Sequence, residues 1–251
     1  MKIKTILVSQ PKPADLGKSP YTKLAEKHKL TVDYFKFIKI EGIPSIDFRK
    51  ARTNVLDYNA VIFTSRQAVD HFFRIAKELR VDVPEDMKYF CMSESTAFYL
   101  QNYVQYRKRK IFHGERTFMD LLTVIKKHQD DKFLFPCSET HKEDFPNALT
   151  AEGIDYTKAV IYKTVACNLK KIAVSDYDML VFFSPSGIKS LMKNFPDFDQ
   201  KDQIIATFGN TTTATAKELG LKVAITAPTP KAPSMSMAIE NYVKEANKRK
   251  R

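Results

Sequence analysis

Short apolar runs alternate with segments of helical period along the whole chain, and this alternation limits the fold more than any other feature. Runs at 4–9, 32–40 and 60–64 read as the first three strands. After the third, Val69, Phe72, Phe73, Ala76 and Leu79 fall on one face of a helix. Residues 88–92 read as another strand, followed by a Ser-rich turn and a helix beginning near Ser95. Phe118, Leu121, Leu122 and Ile125 give a further helical face. The second half continues with strands at 133–135, 156–162, 179–183, 204–207 and 223–225. Helices are expected to start near Ser186 and Thr211, with Gly220 supplying a stop after Leu219. A last helix carries Ala238, Ile239, Tyr242, Val243 and Ala246 on one face. Strands that alternate with helices through short connections form parallel sheets covered by helices, so the fold class is α/β.

The two halves share this grammar. Val61 to Ser65 matches Leu180 to Ser184 at an offset of 119, and Ser93 to Ala97 matches Gly209 to Thr213 at 116. Val32-Asp33-Tyr34 lines up more weakly with Ile154-Asp155-Tyr156 at 122. Three matches in one order indicate a duplicated unit of about 120 residues. Read naively, that means two tandem domains meeting near residue 128.

The chain's 251 residues, 43% hydrophobic and 28% charged, suffice for a proper core and exclude a disordered or fibrous protein. No apolar run approaches the roughly 18 residues of a membrane span, and the first ten residues lack a signal segment. A soluble, cytoplasmic protein is expected. Cys91, Cys137 and Cys167 are too scattered for a disulfide framework or a zinc site. Lys and Arg number 41 against 29 Asp and Glu, a net charge of +12 that favours a polyanionic partner without choosing one. The basic run 107–110 and the tail 248–251 read as solvated faces. They are the whole case for nucleic acid, since no basic helix with interleaved aromatics occurs.

Hydroxyl-rich turns at the carboxyl ends of expected strands carry the most chemistry. They are Thr64-Ser65, Ser93 to Thr96, Ser184-Pro185-Ser186-Gly187 and Gly209 to Thr213. In open α/β sheets, ligands bind outside those strand ends, where helix N-termini offer free N–H groups to carboxylates or phosphates. Ser and Thr also cap helices as a matter of course. No turn has a dinucleotide glycine fingerprint, and Gly17-Lys18-Ser19 lacks the first glycine of a phosphate loop, because Lys12 stands there. No G-x-S-x-G elbow surrounds Ser184 or Ser186. Cys137 and His141, four apart, have no partners at metal-ligand spacing. Tyr162 lies in a strand-like run. Its phenol packs into a core or, facing a cleft, can donate to a departing oxygen.

At these turns the sequence resembles the uroporphyrinogen-III synthase family. The residues that carry the resemblance are Phe63-Thr64-Ser65, Phe182 to Gly187, Gly153 through Tyr162-Lys163-Thr164, and Gly209-Asn210-Thr211-Thr212 running to Val223. Pro228-Thr229-Pro230 before the closing helix also fits. The resemblance implies two α/β domains, each a parallel sheet flanked by helices, joined by a two-stranded connector with the active-site cleft between them. One domain would be 1–38 plus 168–251 and the other 41–164, replacing the tandem reading.

It further implies a cofactor-free, metal-free hydro-lyase that cyclises hydroxymethylbilane, a linear tetrapyrrole with eight carboxylates, to uroporphyrinogen III. The expected setting is a monomer on a small-molecule substrate, without membrane or nucleic acid. Carried over by motif, Tyr162 is the catalytic residue, while Ser65, Thr96, Ser184, Ser186 and Thr212 contact substrate. Gln10 and Cys137-Ser138 stand where relatives often have Arg, with Lys12 or Lys142 as substitutes, and Ser93 replaces a usual Gly. The competing reading is a two-lobed polyanion-binding or nucleic-acid-binding protein without chemistry. A periplasmic-type receptor is disfavoured by the missing signal segment.

Overall fold

The computed structural model describes residues 3–115 and 117–248, with side chains through 246. Lys248 to Arg251, read above as a solvated tail, therefore lie outside the described side chains. The chain opens with β1 (Thr5–Val8), α1 (Pro20–His28), β2 (Thr31–Tyr34), β3 (Ile38–Gly42) and α2 (Ser45–Lys50). Next come β4 (Ala60–Phe63), α3 (Arg66–Leu79), β5 (Lys88–Cys91), α4 (Glu94–Leu100), β6 (Ile111–His113) and α5 (Phe118–Ile125). Then follow β7 (Phe133–Ser138), α6 (Asp144–Ala151), β8 (Tyr156–Ala166), β9 (Met179–Phe182) and α7 (Pro185–Asn194). The chain closes with β10 (Ile204–Phe208), α8 (Asn210–Glu218), β11 (Val223–Ala227) and α9 (Met235–Lys248).

Contacts divide the chain into two compact units. The first combines residues up to Lys39 with those from Val165 onward, and the second is Ile40–Thr164. A tandem boundary near 128 is corrected by the pairing: β7 joins β4 in one sheet, and β9 joins β1 in the other. The strands thus pair across the half-chains that the sequence matches suggested.

The first unit is a five-stranded sheet in the order β11-β10-β9-β1-β2, all parallel. Alternate strand residues feed opposite faces, as the period of two requires. Ile6, Val8, Met179 and Val181 pack under α1 and α9, while Leu7, Leu180, Phe182 and Ile205 pack with Ile188 and Leu191 of α7. The second unit's sheet has the order β3-β8-β7-β4-β5-β6. Val61, Phe63, Tyr89 and Cys91 meet Val69, Phe72 and Ile75 of α3 on one face. Ala60, Ile62, Phe90 and Phe133 meet Leu121, Leu122 and Leu149 of α5 and α6 on the other. Strands buried on both faces read as continuous apolar runs, which explains their clarity in sequence.

The run 32–40, expected as one strand, is two strands in two different sheets. Phe37 breaks it. Its ring is 1% exposed and edge-on to Phe182 at 5.7 Å, and its carbonyl accepts from Ser190 Oγ and the Cys167 N–H. The basic run 107–110 is largely exposed, with Arg107 3.6 Å from Glu85. Among the described residues no helix is long and apolar enough to cross a membrane.

Candidate active site

Both sheets change winding direction once. In the first unit the connections from β1 and β9 run to opposite sides, so the switch lies between those neighbours. In the second it lies between β4 and β7. The carboxyl ends of strands at such a switch leave an open crevice that suits a ligand.

In the second unit, Ser65 follows β4 and caps α3, its Oγ accepting the Ala68 N–H at 3.2 Å. Its backbone is extended, as a capping residue requires. Ser93 follows β5 and precedes α4 but makes no side-chain cap. Its hydroxyl lies 3.1 Å from Ser95 Oγ and 3.2 Å from Thr96 Oγ1. Thr96 is buried at 5% exposure in the first turn of α4.

Tyr162 comes beside Ser65 through an irregularity. Along β7 and β8, Cys137 pairs with Val160 but Ser138 pairs with Tyr162, so Ile161 is an extra residue. The bulge breaks the alternation: Ile161 and Tyr162 are both buried in the α3-side core. The phenol oxygen of Tyr162 then stands 3.3 Å from Ser65 Oγ, and its ring stacks on His71 at 5.2 Å between centroids. Tyr162 is 9% exposed, and burial raises its pKa above the ordinary phenol value, opposed by the Ser65 hydrogen bond. It is protonated at neutral pH.

In the first unit, Ser184 follows β9 and caps α7, accepting the Gly187 N–H at 3.2 Å. Pro185 occupies the first helical position, where its missing N–H costs nothing. Ser186 is half-buried in the same turn. A Cβ at Gly187 would lie 3.6 Å from Ser184 Oγ and 3.7 Å from Ser9 Oγ, so hydroxyls from β1 and β9 converge beside this helix end. Gly209 opens α8 with a φ of 89°, a conformation that favours glycine. Thr212, 2% exposed, sits in the first turn of α8, which packs on α7.

The structure thus joins Ser65 to Tyr162 directly and gathers Ser184, Ser186 and Thr212 at two neighbouring helix starts. Thr96 belongs to a separate hydroxyl cluster. Lys12 and Lys142 are both exposed. Burial pushes the Cys137 thiol up to about 11, so at neutral pH it is an uncharged thiol. Among the described residues no cluster of His, Cys, Asp or Glu is arranged to hold a metal. His141 directs Nδ1 to the Ser138 carbonyl at 2.8 Å instead. Sequence reasoning missed His71 and Arg74. Arg74 donates to His71 and to Glu78, three residues before and four after it on one face of α3, a spacing that is a local signal of their association.

A family model described as uroporphyrinogen-III synthase HemD matches residues 19–236. No curated protein matches the chain significantly by sequence. Uroporphyrinogen-III synthetase from Helicobacter pylori is 19% identical, with a TM-score of 0.59 over 97% of this chain and 100% of that one. A mutant uroporphyrinogen III synthase from the extremely thermophilic bacterium Thermus thermophilus is 15% identical, with a TM-score of 0.54 over 98% and 99%. Those structures share the fold, and the match to the family model extends over most of the sequence. The chain belongs to the uroporphyrinogen-III synthase family.

Proposed function

We propose that this chain cyclises hydroxymethylbilane to uroporphyrinogen III, acting as a hydro-lyase of tetrapyrrole biosynthesis. Membership of the family over residues 19–236 carries this reading. The site chemistry agrees with it. The departing hydroxyl takes the Tyr162 proton as the C–O bond breaks, giving water and an azafulvene cation. The cation's charge stabilises the phenolate until the proton released after ring closure restores the phenol. Attack of the last pyrrole at its own substituted carbon, through a spiro intermediate, inverts that ring.

Little else is asked of acids and bases, because electron-rich pyrroles drive both loss of water and attack. The protein's larger task is to hold the chain folded so that one closure outruns the other. Ser65 and Thr96 in one unit and Ser184, Ser186 and Thr212 in the other supply hydroxyls beside helix N-termini. These complement carboxylates by hydrogen bonding and dipole. A net charge of +12 favours a substrate of opposite charge. In this reading the protein works as a cytoplasmic monomer on a small molecule, without nucleic acid, membrane or cofactor.

Binding of a polyanion without catalysis is not favoured, since it leaves the family match and the Ser65–Tyr162 pair without a role. The test is whether protein accelerates porphyrinogen formation from freshly generated hydroxymethylbilane in proportion to its concentration. A rate equal to buffer alone would overturn the proposal.

A further inference from the structure

We infer that Arg74 and His71 are positioning residues for Tyr162, acting together as one clamp on its backbone and its ring. The inference rests on the proposed acid role of Tyr162. It starts from the bulge at Ile161, whose carbonyl immediately precedes Tyr162. That carbonyl accepts from the Ile43 N–H at 2.9 Å and from Arg74 Nη2 at 3.2 Å. The same Nη2 donates to the Ile43 carbonyl at 2.8 Å, so one guanidinium nitrogen ties both backbones. Arg74 Nη1 is held by Glu78 at 2.7 Å, and Glu78 also accepts from Ser45. The remaining donor, Nε, goes to Nδ1 of His71 at 3.1 Å.

That last bond fixes the chemistry of the imidazole. A ring whose Nδ1 accepts a hydrogen bond carries its proton on Nε2 and is neutral. Protonation would set an Nδ1–H against the Nε–H of Arg74. The neutral ring stacks on Tyr162 with an interplanar angle of 17°. It provides a flat wall that holds the phenol toward Ser65 without placing a cation over it, which would favour the phenolate. Gly42 makes room for the clamp, since a Cβ there would lie 2.5 Å from the Arg74 Cζ. A bulge carbonyl shared by two donors, a guanidinium with all three nitrogens engaged and a glycine beneath it make a built arrangement centred on Tyr162.

The test combines a spectroscopic and a kinetic readout. Nitrogen-15 NMR of the wild-type protein should show His71 as the Nε2–H tautomer, with that assignment lost in Arg74→Met. Arg74→Met should lower kcat about tenfold with KM little changed, the signature of a displaced reacting group. In a Tyr162→Phe background the same substitution should cost nothing further. If Arg74→Met fails to fold, His71→Ala should lower kcat similarly and His71→Phe, which keeps the flat wall, should restore most of it. An Nδ1–H or charged His71 in the wild type would overturn the proposal. So would equal losses from Arg74→Met with and without the Tyr162 hydroxyl, or no rescue by Phe. Unchanged kcat in Tyr162→Phe alone would instead overturn the acid role of Tyr162, and the kinetic half of this inference with it.

Discussion

The phenol oxygen of Tyr162 lies 3.3 Å from the Ser65 hydroxyl, although 97 residues separate the two in sequence. Ser65 already receives the Ala68 N–H, so its own proton is free to be given to, or its lone pair shared with, the phenol. The contact links the start of α3 to the bulged part of β8. Removing only the hydroxyl by Tyr162→Phe should lower kcat about a hundredfold, as for loss of a general acid. Thermal unfolding should move little, because a single half-satisfied hydrogen bond contributes about 1 kcal/mol. Initial rates and a melting curve on the same preparation check both halves.

Two serines with the same capping geometry should behave differently from each other. Ser184→Ala and Ser65→Ala each remove the acceptor for a helix N–H and should each cost about 1 kcal/mol. For a chain of this size that corresponds to a Tm lower by about 2–4 °C. Only Ser65→Ala also frees the Tyr162 phenol, so its kcat should fall while Ser184→Ala acts mainly on KM. Equal kinetic profiles for the two would contradict the assignment.

Thr212 is buried at the start of α8, and Val matches its shape without the hydroxyl. Thr212→Val should therefore fold. It should raise KM for hydroxymethylbilane about tenfold if one carboxylate loses a hydrogen bond. Steady-state kinetics beside a circular-dichroism spectrum would show this.

The pH dependence of stability carries a sign fixed by His71. Burial lowers its pKa below the ordinary 6.5, with Arg74 adding to the effect and Asp70 and Glu78 opposing it. The unfolded chain then takes up the proton first. The stabilisation is present above pH 6.5 and is lost as pH falls through the lowered folded value. Wild-type Tm should drop more steeply than that of His71→Phe between about pH 7 and pH 5. Parallel curves would contradict a neutral, half-buried ring.

The α/β class was legible because strands buried on both faces leave unbroken apolar runs, as at 60–63 and 179–182. The division at Phe37 was not, since the apolar pattern continues through Tyr34, Phe35 and Phe37. Only distant partners, Phe182 and Ser190, show that the chain leaves one sheet for another. The helix α1 escaped because it buries only Tyr21 and Leu24, although Ser19 and Pro20 form an ordinary helix start. The hydroxyl turns were legible by position. That Ser65 touches Tyr162 depends on a one-residue bulge visible only in strand pairing. Arg74 and His71 were hidden for the same reason, their targets being backbone carbonyls and a ring far along the chain.

Gly42 offers an independent handle on that clamp. In Gly42→Ala the new Cβ would overlap the Arg74 guanidinium, whose flexible end can swing away with little loss of stability. Its bonds to Ile43 and Ile161 would be lost in doing so. The variant should fold and show the lowered kcat of Arg74→Met, and wild-type kinetics in Gly42→Ala would contradict this.

The most direct test of the central claim is the isomer composition of the product. Freshly generated hydroxymethylbilane is supplied with the protein, the products are oxidised, and type I and type III porphyrins are separated by chromatography. Predominantly type III, rising with protein concentration, is the result expected of a cyclase that inverts the last ring. Type I alone, formed at the uncatalysed rate, would contradict it.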